Sequence, residues 1–166
     1  MTTANTPANS PDLQPLSLER VAATFDELGW KYDLHPETQA LRTGFSGIGM
    51  EIKFLAPTVS IVSTVAVDVI TADRYKDVLT WVENYNQHSD FPSASAFEDT
   101  QRNLAALGAT FALPGYWDYT DEQFQAHLTS GIQGVVNCAR EFLGHFAPDV
   151  LQHLDSANAG AGTGEA

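Results

Sequence analysis

The chain has 166 residues, 43% of them hydrophobic, which is enough for one domain with one substantial core and too short for a second of ordinary size. Its 21 acidic against 8 basic side chains leave a formal charge of -13, a field that repels phosphate backbones and anionic headgroups, so neither nucleic acid nor a membrane surface is expected as a partner. A single cysteine, Cys138, excludes an intrachain disulfide and any multi-cysteine metal site and points to a reducing compartment.

Residues 1–15 are rich in Thr, Ala, Asn, Pro and Ser, and 156–166 are almost entirely Ala, Gly, Asn, Thr and Ser. Both are too poor in apolar groups to offset ordering entropy and are expected to be disordered tails around one α+β domain spanning 16–150. The first residues show no positive cluster and no apolar run, and no segment reaches the ~18 consecutive apolar residues that span a bilayer. A cytoplasmic protein is the expectation.

Ser17 reads as an N-cap, because Leu18, Val21, Ala22, Phe25 and Leu28 follow at helical spacing and Gly29 supplies a stop. The period then changes to two at Trp30, Tyr32 and Leu34, a turn falls at His35-Pro36-Glu37, and Leu41 to Phe45 form a second extended run. Ile48, Met50, Ile52 and Phe54 alternate with Gly49, Glu51, Lys53 and Leu55, the pattern of a strand with one buried face. Ala56-Pro57-Thr58 turns the chain into the β-branched run Val59 to Val67, completing an antiparallel meander. A second helix begins near Asp73, with Tyr75, Val78, Leu79, Val82 and Tyr85 on one stripe, and Pro92 marks its break. Ser93 to Glu98 and Ala105 to Leu113 read as a hairpin. Thr120 and Gln123 have capping-box spacing, and Phe124, Leu128, Ile132, Val135, Ala139, Phe142 and Phe146 then predict a long third helix that Pro148 ends. The order α-β-β-β-β-α-β-β-α makes an α+β layer, an antiparallel sheet covered by helices on one face, with the other face left to water or a partner.

Chemistry is conspicuous by its absence from these patterns. His35, His88, His127, His145 and His153 include no pair at i, i+4, so no metal site is predicted, and no nucleotide or hydrolase motif is present, so no cofactor is expected. Cys138 borders the apolar stripe of the third helix and reads as a small core residue, with no histidine partner to activate it. Asp118, Asp121 and His127 are the right groups for acid–base work, with no geometry that sequence establishes. Gly131 and Gly134 each cost ~1 kcal/mol relative to alanine inside a helix, which calls for a close crossing. The helix either bends onto its own sheet or makes a helix contact with a second subunit. Tyr116, Trp117 and Tyr119 cluster just before that helix, as a sticky surface or as a lid over the core.

The order of elements, together with the second helix running through Trp81-Val-Glu-Asn84-Tyr-Asn86 into Pro92 and the strand around Phe97, resembles the YbjN family over residues 16–147. Members are bacterial, are labelled sensory transduction regulators, and have a fold similar to type III secretion chaperones. The family's middle helix ends in Asn-x-x-Asn, whereas Asn84 and Asn86 here have one residue between them. The resemblance implies a non-enzymatic, chaperone-like protein-binding or regulatory domain that dimerises and offers sheet edges or grooves to a protein or peptide client. Trp81, Asn84, Asn86, Tyr116, Trp117 and Tyr119 are the candidate binding surface. The alternative is a small-ligand-binding sensor in which the sheet and the Trp117 region enclose an apolar pocket.

Overall fold

The computed structural model describes residues 12–161, so the expected tail segments 1–11 and 162–166 lie outside the described residues. Helix α1 (Leu18–Leu28) starts where expected: the Arg20 amide donates to the Ser17 hydroxyl at 3.1 Å, and Gly29 closes the helix at φ 67. Four strands follow, β1 (Asp33–His35), β2 (Ala40–Phe45), β3 (Ile48–Leu55) and β4 (Thr58–Val65). A short 3-10 turn at Ala72–Arg74 precedes α2 (Tyr75–His88), which starts two residues later than the sequence pattern suggests. The hairpin is β5 (Ser93–Asp99) and β6 (Leu104–Leu113), and α3 (Asp121–Phe146) carries the expected capping box between Thr120 and Gln123.

Two expectations need correction. Pro148 ends nothing beyond α3, because it opens a further helix, α4 (Pro148–Ala161), where its missing N–H is no loss in the first turn. Residues 156–161, expected in a disordered tail, are therefore helical. Leu154 packs onto Gly47 at the β2–β3 turn, and Arg140 ties the helix down by bonding Ser46 O at 3.1 Å and Asp155 at 2.5 Å. At the other end, Gln14 is not tail: its N–H and C=O bridge the backbone of Tyr119 at 3.0 and 2.9 Å.

All six strands are antiparallel in the order β1-β2-β3-β4-β6-β5. The meander and the hairpin are as expected, and α2 carries the chain from β4 past the future position of β6, so that β5 becomes an edge. Ile48, Met50, Ile52, Val59, Ile61, Val65, Leu107 and Ala109 point to one face and are buried beneath α1, α2 and α3. Ser63 is the polar exception on that face, and its hydroxyl is satisfied by Gly49 O at 2.7 Å.

The opposite face carries no helix among the described residues. It forms an open concavity of about 450 Å³ whose charged rim is Arg42, Glu51 and Lys53. Glu51 accepts from Lys53 at 3.0 Å and from Arg42 at 3.2 Å, and these bonds, Lys53 first, hold its carboxyl below the ordinary 4.5. A carboxylate lowered on folding stabilises the protein above its unfolded value, and the contribution disappears as the pH falls through the lowered folded value. Thermal melts from neutral to acid pH should show Glu51→Gln below the parent at neutral pH. The two curves should converge in acid, and a constant gap would remove the ion-pair explanation.

Candidate functional site

The glycines of α3 are explained within the chain. A Cβ on Gly131 would stand 2.3 Å from Cδ1 of Phe111 and 2.9 Å from Cδ1 of Ile61, both on the sheet. On Gly134 it would stand 2.9 Å from the Phe91 ring, with Pro92 beyond. These positions are close crossings of α3 over its own sheet and the α2–β5 loop, which corrects the reading of Gly131 and Gly134 as a helix contact with a second subunit. Cys138 is fully buried beside Tyr85, as a core residue should be. Burial pushes its thiol up to about 11, and burial, then Cys138, pushes the Tyr85 phenol up to about 12, so both stay protonated at neutral pH.

The six residues expected to form one binding surface separate into two groups. Trp81 stacks on Tyr85 at 5.2 Å and meets Phe142 edge-on at 5.4 Å, near the C-terminal end of α3. Tyr116, Trp117 and Tyr119 precede the N-terminal end of the same helix. At ~1.5 Å per residue, α3 sets Phe142 and Asp121 about 30 Å apart, so the two groups form separate patches toward opposite ends of the helix. The single-surface expectation is corrected accordingly.

Asn84 is exposed, and its carbonyl meets the His88 ring at 2.8 Å. Asn86 has a structural duty. Its amide donates to Ala94 O at 2.9 Å and accepts from Ala94 N at 2.8 Å, a two-point contact that imitates a neighbouring strand on the outer edge of β5. Both Ala94 backbone groups face away from β6, so the edge is closed there by a side chain and is not available to a client. Asn86→Ala removes two neutral hydrogen bonds worth about 1 kcal/mol each and should destabilise the fold by about 2 kcal/mol in urea unfolding. It should also raise the rate of aggregation through the freed edge. A loss under about 0.5 kcal/mol would mean water replaces the clamp at no penalty.

The aromatic loop between β6 and α3 is built differently. Tyr119 is 4% exposed, and its hydroxyl donates to Pro114 O at 2.6 Å, making it the lid over the core. Tyr116 is 81% exposed and Trp117 is 57% exposed. Exposed apolar rings on a mobile loop would carry little meaning, but this loop is fastened on three sides. Gly115 lies so close to the β3–β4 turn that a Cβ there would meet Pro57 O at 1.7 Å. Gln14 bridges Tyr119, and the capping box fixes the start of α3.

Arg20 joins these anchors. Its side chain is 10% exposed; Nη1 donates to Gln14 O at 2.6 Å and Pro15 O at 3.1 Å, and Nη2 donates to Tyr119 O at 2.8 Å and Asp121 at 3.1 Å. The guanidinium also lies 4.9 Å over the Phe124 ring. The Gln14 bridge and the contact of Gly115 with Pro57 bring exposed Leu13 and Leu55, 56% and 61% accessible, to the same end of the sheet as Tyr116 and Trp117. Nothing in the sequence pattern singled out Arg20, Leu13 or Leu55; Pro114-Gly115 was the one local signal of a tight approach that could have been read. Asp121 is engaged by Arg20, and His127 lies edge-on to Tyr119 at 5.8 Å.

No protein-family model and no curated protein matches the chain. Among solved structures it is similar to YbjN from E. coli, a protein provisionally described as a transcription regulator, with a TM-score of 0.67 and 19% identity. The match covers 81% of this chain and 96% of that one. At this identity the likeness is one of fold, and the YbjN-like fold expected from the order of elements is present. No helix among the described residues is long and apolar enough to cross a membrane.

Proposed function

We propose that this chain is a non-enzymatic regulatory domain that works by binding a polypeptide partner at the aromatic end of the sheet. The observation that carries the reading is the presentation of Tyr116 and Trp117: two large rings held in water by a loop that Pro57, Gln14 and Arg20 immobilise. Aromatic side chains lose little conformational entropy on binding, and a pre-fastened loop loses less, so binding there begins with most of its ordering already complete. The YbjN-like fold agrees with a regulatory role, and a chaperone-like mode, in which a client is held and released, is the form of regulation that suits an exposed apolar end. The cytoplasm is the compartment we propose, in keeping with the unpaired, buried Cys138.

The small-ligand alternative placed Trp117 over an enclosed pocket, but Trp117 and Tyr116 stand out in solvent. Affinity capture from native lysate tests the protein-binding reading, comparing the parent with Tyr116→Ser/Trp117→Ser. Polypeptides retained by the parent and lost by the variant are the expected result; equal recovery, or none by either, would overturn it. Homodimerisation through α3 has lost its basis, since Gly131 and Gly134 are occupied internally. A homodimer by another surface remains part of the proposal, and light scattering that shows a monomer up to high micromolar concentration would remove it.

A further inference from the structure

We infer that the partner segment received at this aromatic end is basic and amphipathic, with apolar side chains set against Tyr116, Trp117, Leu13 and Leu55 and lysines or arginines along one flank. The inference rests on the protein-binding reading above and adds the chemistry of the partner. Exposed carboxylates border the rings: Asp118 follows Trp117 directly, Asp121 and Glu122 open α3, and Asp12 adjoins Leu13. The cation bonded into this end, Arg20, is buried and committed to backbone carbonyls and to Asp121 at 3.1 Å, so it offsets Asp121 and leaves Asp118, Glu122 and Asp12 to set the outward field. The first turn of α3 contributes a partial positive charge of about one half, which Glu122 exceeds.

An acidic rim around an apolar centre attracts a partner with the inverse arrangement. The carboxylates accelerate encounter and reject acidic segments, while the apolar centre holds the complex. The rings add to this, since a lysine or arginine over the face of tryptophan or tyrosine is attracted by the ring quadrupole, the more so as it is desolvated. The charge of the whole chain, -13, attracts any basic peptide without regard to site, so the test must separate local from general attraction.

The experiment is fluorescence anisotropy with three labelled amphipathic peptides that share one leucine pattern and carry lysine, glutamate or glutamine at the polar positions. The lysine peptide should bind the parent at least about tenfold more tightly than the other two, and raising the ionic strength about tenfold should weaken it markedly. Tyr116→Ser/Trp117→Ser and Asp118→Lys/Glu122→Lys should each lose about tenfold. Glu83→Lys/Asp90→Lys, an equal charge change at exposed positions of α2 and its following loop, should lose far less. Equal losses in the two charge variants would reduce the effect to net charge and overturn the inference. Tight binding of the glutamine or glutamate peptide that depends on Tyr116 and Trp117 would overturn the basic partner and leave the protein-binding reading standing. Binding of all three peptides that ignores Tyr116 and Trp117, or no binding of any, would overturn both.

Discussion

Replacing Arg20 with alanine should lower stability by about 3 kcal/mol and release the aromatic loop from the N-terminal segment. Hydrogen bonds from a charged donor are worth about 1.5–3 kcal/mol each, and the guanidinium makes them to Gln14, Pro15 and Tyr119 carbonyls. The loss is smaller than their sum for three reasons. Gln14 and Tyr119 keep each other as backbone partners, Asp121 is 87% exposed so its ion pair adds little, and the Arg20 Nε is buried with no partner, which already penalises the native state. Arg20→Met keeps the packing on Phe124 and removes the unsatisfied Nε, so it should recover part of the loss without restoring the loop. Urea unfolding gives the first quantity, and hydrogen exchange at Trp117 to Tyr119 the second. A change below about 1 kcal/mol in both variants would mean that the Gln14 bridge, the Gly115 contact and the capping box fasten the loop without Arg20.

Gly115→Ala should destabilise by a comparable amount, about 3 kcal/mol, by a different route. The new methyl group would fall 1.7 Å from Pro57 O and 2.6 Å from its carbonyl carbon. Backbone cannot swing aside as a side chain can, so the β6–α3 loop must part from the β3–β4 turn or the turn must distort, at the upper end of the ordinary overpacking range. Partner binding should fall with it, because Tyr116 and Trp117 lose the support that holds them in place. The pairing of loss of stability with loss of binding distinguishes this variant from Tyr116→Ser/Trp117→Ser, which should bind poorly and unfold near the parent midpoint. A Gly115→Ala protein of parental stability would show that the loop has room to move and that its rigidity is not what presents the rings.

The elements of this fold were legible because their signals are local. Ser17, Gly29, Thr120 and Gln123 act on backbone groups within a few residues, and the apolar spacing of Ile48 to Phe54 or Phe124 to Phe146 records which face of each element is buried. The last helix was misread for the same reason, since a Pro that stops one helix has the same sequence appearance as a Pro that starts the next. The candidate site was only half legible. Tyr116, Trp117 and Tyr119 stood out as a cluster, yet the sequence could not tell the buried ring from the exposed pair, and it joined to them Trp81, Asn84 and Asn86, which belong to the far end of α3 and to the β5 edge.

By itself, then, the sequence determined an α+β chain of one core, its strand and helix order as far as α3, and an acidic surface, because composition and short periodicities dictate these without reference to the rest of the molecule. Tertiary structure alone decided that β6 lies inside the sheet and β5 at its edge, that Asn86 closes that edge, and that α3 uses its glycines to cross Phe111 and Phe91. It also decided that Arg20 reaches Tyr119 across 99 positions of chain and that Gly115 settles against Pro57. Such contacts pair residues from distant segments, and any one of them is a single choice among many that the same local patterns allow. Packing of the whole core selects that choice, and with it the two rings that face the solvent.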